Sequence, residues 1–203
     1  MRKIISIILI VVGICICITP FVGRLYVKYE QDKMYAKYLE QLEKQNEQMD
    51  SAFNDQTQDA KEEPKGFDLS KVKGVIGLVE IPKIDCVQVL IEGSDGYSLL
   101  YGVGHVIGTA FPGEAGNVAI AGHRNGTFGT YFSRIDELQK GDEINCEYKG
   151  QSYVYKVTET FIVEPTDVSV LEGNRNQHIL TLISCHPRGK MTHRIIVRAK
   201  LEQ

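Results

Sequence analysis

From Gly74 onward the chain is cut into short β-branched runs by glycine, proline, asparagine and aspartate, and that punctuation restricts this part to sheet architecture. The runs are Gly74 to Ile81, Cys86 to Ile91, Asn117 to Ala121, Asp142 to Tyr148, Ser152 to Val163, Ile179 to Ser184 and Arg194 to Leu201. No strand–helix–strand alternation and no glycine-rich phosphate loop accompanies them, which argues against a parallel nucleotide-binding sheet. The pattern predicts a mainly β domain, a barrel or sandwich of seven or eight strands. Tyr131, Phe132, Ile135 and Leu138 mark one short helix, closed off by Gly141.

The N-terminus has a different character. Ile4 to Gly23 is almost wholly apolar and follows Arg2 and Lys3, and about 20 apolar residues suffice to cross a bilayer. A cleaved signal peptide is the competing reading, but Cys17-Ile18-Thr19-Pro20-Phe21 supplies no small-residue cleavage site. Arg24 and Lys28 weaken the charge bias, yet a very short N-terminal tail is retained inside, which places the bulk of the chain outside the cytoplasm. Leu25 to Met49 carries Tyr35, Tyr38, Leu39 and Leu42 at helical spacing, so a juxtamembrane helix is expected as a stalk holding the domain off the bilayer. Asp50 to Lys65 has little to bury and is expected as a flexible linker. The resulting division is anchor 1–23, helix and linker 24–65, and folded domain 66–203. A net charge of -3 and a pI near 6.0 lack the basic signature of a nucleic-acid binder.

Cys15 and Cys17 fall in the apolar segment, leaving Cys86, Cys146 and Cys185 in the folded part. An odd number leaves at least one thiol unpaired. A bridge between Cys86 and Cys146 is possible, as are two small buried hydrophobes, and the spacing matches no zinc pattern. Cys185 ends the run Thr181-Leu182-Ile183-Ser184-Cys185 before a turn through His186, Pro187, Arg188 and Gly189, so its thiol lies at a sheet rim. His123 leaves the strand Ala119-Ile120-Ala121 into a glycine-bordered loop, where an imidazole can take a proton from a thiol and return it to a leaving amine. Arg194 opens the last strand, and its permanent charge and fixed donors suit an oxyanion. Taken singly, each has a blander reading as a buried thiol, an idle loop histidine or a surface cation.

The run Thr181-Leu182-Ile183-Ser184-Cys185 resembles the sortase nucleophile motif Thr-Leu-x-Thr-Cys, with Ser184 for the usual threonine. Ile81-Pro82-Lys83-Ile84, Gly102-Val103-Gly104-His105, Pro112 to Asn117 and Ala121-Gly122-His123-Arg124 resemble further sortase segments in the family's order, over nearly all of Gly74 to Leu201. The resemblance implies a closed eight-stranded sortase-type barrel with short helices, preceded by the transmembrane and juxtamembrane helices. It implies a cysteine transpeptidase with Cys185 as nucleophile, His123 as acid/base and Arg194 on the oxyanion or substrate. Its implied substrate is a surface-protein sorting signal of the Leu-Pro-x-Thr-Gly type, cut between Thr and Gly through a thioacyl enzyme and passed to a peptidoglycan amine of a Gram-positive wall. Val168 and Leu171 are expected against the Leu-Pro, with Ala121, Thr181, Ser184 and His105 as further substrate contacts. His186 is expected to face away from its neighbour Cys185, because adjacent strand residues point to opposite faces.

No cofactor is expected. Glu164, Asp167 and Glu172 offer only a thin cluster for calcium, which needs several oxygen ligands. Phe67-Asp68-Leu69 makes no convincing lid, no second apolar segment precedes Lys200-Leu201-Glu202-Gln203, and no large insertion precedes the Cys185 strand. These features favour a single-protein anchoring enzyme, most like class D, with classes A and E near it. Two rivals stand beside it. An L,D-transpeptidase would place histidine before its cysteine, whereas Ser184 precedes Cys185 here, and a noncatalytic tethered β-domain would only bind wall peptides.

Overall fold

The computed structural model describes residues 2–54, 74–124 and 131–202. The expected domain boundary at Gly66 and residues 55–65 of the expected linker lie outside the described residues. Eight strands form one closed barrel: β1 (Val75–Ile81), β2 (Cys86–Glu92), β3 (Val103–His105), β4 (Gly116–Ala121), β5 (Glu143–Tyr148), β6 (Gln151–Val163), β7 (His178–His186) and β8 (His193–Leu201). Their order around the wall is β1-β2-β3-β4-β7-β8-β6-β5. The pairs β2/β3 and β4/β7 are parallel and the others antiparallel. Closure removes the sheet edges that would otherwise invite pairing with another chain.

Seven strands match the expected runs within two residues, and β3 is the eighth. It escapes sequence reading because it has three residues and its centre is Gly104, where a Cβ would lie 2.3 Å from the Gly93 carbonyl oxygen. Only a residue without a side chain lets the backbones approach so closely. The crossover between parallel β2 and β3 holds a six-residue helix, Gly96–Tyr101, begun by Asp95, whose Oδ1 accepts a hydrogen bond from the Ser98 amide at 3.0 Å. The helix expected near Tyr131 to Leu138 is a single 3-10 turn, Ile135–Glu137, with Phe132, Ile135 and Leu138 buried in the core.

Two-residue alternation sorts the wall that carries the site. Val118 and Ile120 of β4, Leu180 and Leu182 of β7, and Ile195, Val197 and Ala199 of β8 fill the interior. Ala119 and Ala121, Thr181, Ile183 and Cys185, and Arg194 and Ile196 therefore belong to the outer face.

The two helices expected at the N-terminus form one, α1 (Arg2–Asn54), which runs through the first five residues of the expected linker. Its apolar stretch is solvent-facing in the isolated chain, and residues 9–40 are long and apolar enough to cross a membrane. Farther along, α1 does not stand free as a stalk. Met34 and Tyr38 pack with Val75, Val89 and Ile91 on the outside of β1 and β2, with Tyr35 alongside. Gln31 Nε2 donates to the Tyr101 carbonyl at 2.7 Å and to Gln88 Oε1 at 3.1 Å. Leu39 of the expected stripe is exposed, and the side chain of Leu42 lies outside the described residues.

Tyr38 is fully buried in this contact. Tyr38→Ala is expected to weaken it by about 3 kcal/mol, the usual result of deleting a buried aromatic ring. Limited trypsin digestion of the full-length protein in detergent should then cut faster at Lys33 and Lys37 while the barrel stays intact; an unchanged rate would mean that the helix does not depend on this ring.

Candidate active site

Parallel pairing brings two distant segments to one place. The ladder of β4 and β7 ends at Ala121 opposite Ile183 and is prolonged when the Gly122 amide donates to the Ile183 carbonyl at 3.0 Å. Ser184 Oγ donates to the Gly122 carbonyl at 2.7 Å. The chain beyond this point carries His123 to the cavity that Cys185 lines. Gly122 permits this because a Cβ there would lie 2.6 Å from the Phe132 ring. On the other side of β7, Cys185 pairs directly with Arg194 of β8, a relation that sets Cβ atoms about 5 Å apart on the same face.

His123 and Cys185 line one cavity of about 110 Å³ with Arg124, Arg188, Gly189 and Met191. Arg194 borders it through the β7–β8 turn: its Nη1 donates to the carbonyls of His193 at 3.0 Å and Met191 at 3.4 Å. Among the described residues no carboxylate forms an ion pair with Arg194. The His123 ring meets the edge of Tyr131 at 6.1 Å and 81°. Tyr131 is itself fixed, since its hydroxyl donates to the Leu100 carbonyl and its own carbonyl accepts from Cys86 Sγ at 3.2 Å. Burial pushes the Tyr131 phenol up to about 12, so it stays neutral.

The five cysteines are free thiols, so Cys86 and Cys146 are two buried hydrophobes and not a bridge. Burial pushes both thiols up to about 12, which suppresses the thiolate that reacts with electrophiles. Cys185 alone among the barrel thiols is partly accessible.

The remaining expected contacts divide by strand parity. Ala121 shares the outer face and is partly exposed. Ser184 has the opposite parity from Cys185, is buried, and spends its hydroxyl on Gly122. Thr181 shares the face of Cys185 but is wholly covered, its hydroxyl donating to Asn117 Oδ1 at 2.7 Å. His105 pairs with Ile120, is 1% exposed, and has Nδ1 3.0 Å from Glu92 Oε2 and Nε2 2.9 Å from the Ala110 carbonyl. These three are corrected to structural roles, because none presents a surface to a peptide. Val168 is exposed and Leu171 half-buried at the 3-10 turn Ser169–Leu171 between β6 and β7. His186 is not among the residues that line the cavity, and its Nδ1 lies 2.6 Å from Arg124 Nη1.

Two of the carboxylates considered for calcium have protein partners. Asp167 accepts from the amide and hydroxyl of Ser169, which hold its carboxyl below the ordinary range, and Glu164 lies 3.3 Å from His193 Nε2. Among the described residues no three such groups converge.

Two residues escaped sequence reading. Asn117 Nδ2 donates to the carbonyls of Val170 and Glu172, fastening the β6–β7 loop to the barrel. Arg124 is buried where it lines the cavity and is paired with Asp136 at 2.8 Å. The only signal for Arg124 is its place next to His123.

A sortase domain model matches residues 79–202, so the chain belongs to the sortase family. It is 34% identical to Sortase D of Bacillus subtilis (strain 168) over 55% of this chain, a match spanning only 54% of that relative's length. It is 31% identical to Sortase A of Bacillus anthracis over 98% of this chain and 93% of that one. The structure of a Sortase D5 transpeptidase from Clostridium perfringens superposes with a TM-score of 0.64 at 30% identity, covering 85% of this chain and 98% of the other. The resemblance to class D thus has counterparts in both a relative and a solved fold.

Iodoacetamide at pH 8 is expected to alkylate Cys185 of the folded protein and to leave Cys86 and Cys146 unmodified until denaturant is added. Peptide mass spectrometry reads the sites; labelling of either buried thiol before unfolding would contradict the burial described.

Proposed function

We propose that this sortase is a cysteine transpeptidase that cuts a Leu-Pro-x-Thr-Gly-like sorting signal and joins the released carbonyl to a cell-wall amine, with Cys185, His123 and Arg194 as its catalytic residues. The observation that supports this reading is that Cys185 and His123 line one cavity while Arg194 pairs directly with Cys185 across β7 and β8.

Sγ of Cys185 attacks the threonyl carbonyl carbon as the thiol proton passes to His123. The carbonyl oxygen takes the electron pair, and Arg194, whose Nη1 bonds carbonyls and no carboxylate among the described residues, offsets its charge. When the C–N bond breaks, His123 gives its proton to the departing glycine amine, leaving a thioester on Cys185. An incoming amine attacks the thioester, loses its proton through His123 and restores the thiol.

The substrate reading extends this to the surroundings. Val168 and Leu171 form the apolar contact for the Leu-Pro, over the outer face that carries Ala121. The apolar part of α1 anchors the chain with its N-terminus inside, which puts the barrel on the side where wall amines are found.

The test is incubation of the full-length protein with a Leu-Pro-x-Thr-Gly reporter peptide and an amine acceptor. Cys185→Ala should abolish transfer and the thioacyl adduct seen by mass spectrometry. Arg194→Ala should lower kcat on the order of 100-fold with the adduct still detectable. Transfer that survives Cys185→Ala would remove the cysteine mechanism.

A further inference from the structure

We propose that Arg124 is a positioning residue for the nucleophile: through His186 and the Cys185 carbonyl it clamps the end of β7 to the segment that carries His123. This inference rests on the reading that those two residues do the chemistry. The starting observation is an expensive burial. The Arg124 side chain is 4% exposed, and its Nε is buried with no hydrogen-bond partner among the described residues. A buried ion pair is a poor source of stability compared with apolar packing of similar volume, so stability alone does not explain a guanidinium here.

Its contacts indicate what it holds. Nη1 lies 2.6 Å from His186 Nδ1 and 3.4 Å from the Cys185 carbonyl oxygen, and Nη2 lies 2.8 Å from Asp136 Oδ2. The guanidinium is the donor, so His186 Nδ1 accepts and the imidazole keeps its hydrogen on Nε2. Asp136 is held in turn by Arg188 Nη2 at 3.5 Å, and Arg188 also lines the cavity. One planar fork thus ties the last residues of β7, the segment after β4 and the 3-10 turn at Ile135–Glu137.

The end of the ladder gives these contacts their meaning. The β4/β7 ladder ends at Ala121 and Ile183, and two further bonds carry it to Gly122 and Ser184. Beyond that point no backbone ladder bond joins the two segments among the described residues, yet this is where His123 and Cys185 must meet. The next link between the segments is made by the side chain of Arg124, on His186 and on the Cys185 carbonyl. That link sets the separation of the Cys185–His123 pair. A lysine cannot replace it, because a single ammonium on a flexible stem does not span His186, the Cys185 carbonyl and Asp136 together.

The experiment compares Arg124→Lys, His186→Phe, His186→Asn and the double variant Arg124→Lys/His186→Phe in the full-length protein. The readouts are kcat and KM for the Leu-Pro-x-Thr-Gly reporter, and the iodoacetamide alkylation rate of Cys185, which needs no sorting signal. Arg124→Lys and His186→Phe should each lower kcat about 10-fold or more with KM within about twofold, and the double variant should be no worse than the poorer single one. His186→Asn, which keeps an acceptor near the Nδ1 position, should recover most of the rate. The alkylation rate should follow kcat across the set and not the melting temperature. Unchanged kcat in Arg124→Lys, additive losses in the double variant, or His186→Asn as poor as His186→Phe would each overturn the clamp. These outcomes are separate from failure of the catalytic reading, which appears as transfer persisting in Cys185→Ala.

Discussion

The parallel pairing of β4 with β7 is the constraint from which the site follows. Its register puts Ala121 opposite Ile183 and so leads His123 to the cavity it shares with Cys185. A slip of one residue would reverse which side chains face the interior, because side chains alternate strictly along a strand. Apolar residues oppose such a slip: Val118 and Ile120 face the same core as Leu180 and Leu182, and a one-residue shift would bury the outer set instead. Polar bonds pin both ends of the pair, Thr181 to Asn117 at one and Ser184 to Gly122 at the other. Parallel neighbours require a long crossover, and here that crossover includes β5 and β6, which close the far side of the barrel. Site and closure are therefore built by one topological device.

Buried polar groups outside the cleft serve the same geometry. Asn117 satisfies three partners at once, holding Thr181 on the sheet and the carbonyls of Val170 and Glu172 in the β6–β7 loop. That loop carries Val168 and Leu171, so a buried amide on β4 determines where they stand. His105 plays the matching part at β3, joining Glu92 to Ala110 while its ring stacks on Phe111 at 4.6 Å. Each of these groups is fully partnered, the condition under which a polar network specifies a single arrangement instead of loosening the core.

Local pattern carried most of the fold. Seven strands announce themselves as β-branched runs between turn residues, and Cys185, His123 and Arg194 stand at strand ends, where alternation already suggests a rim. What stayed hidden depends on contacts between distant residues. Gly104 reads as a turn until Gly93 is seen against it, and the six-residue helix at Gly96 is too short to show a period. Thr181, Ser184 and His105 sit in motifs next to reacting groups, so proximity in sequence suggested substrate contact; parity and burial assign them elsewhere. Arg124 shows the converse. Its neighbour His123 drew attention, while its own role needs His186 and Asp136, which only the fold brings near.

The docking of α1 alters how anchor and cleft relate. A free stalk would leave the barrel to tumble above the membrane, but Gln31, Met34 and Tyr38 fasten the helix to the outside of β1 and β2. Gln31 is eight residues beyond Gly23, a rise of about 12 Å along a helix. With the apolar segment in a bilayer, the barrel therefore rests near the headgroups. The same contacts continue toward the site: Gln31 binds the Tyr101 carbonyl, the adjacent Leu100 carbonyl accepts from Tyr131, and the Tyr131 ring edges His123. Every link in that series is a packed or hydrogen-bonded contact within one body. The orientation of the cleft to α1 is thus a property of side-chain packing on the barrel wall.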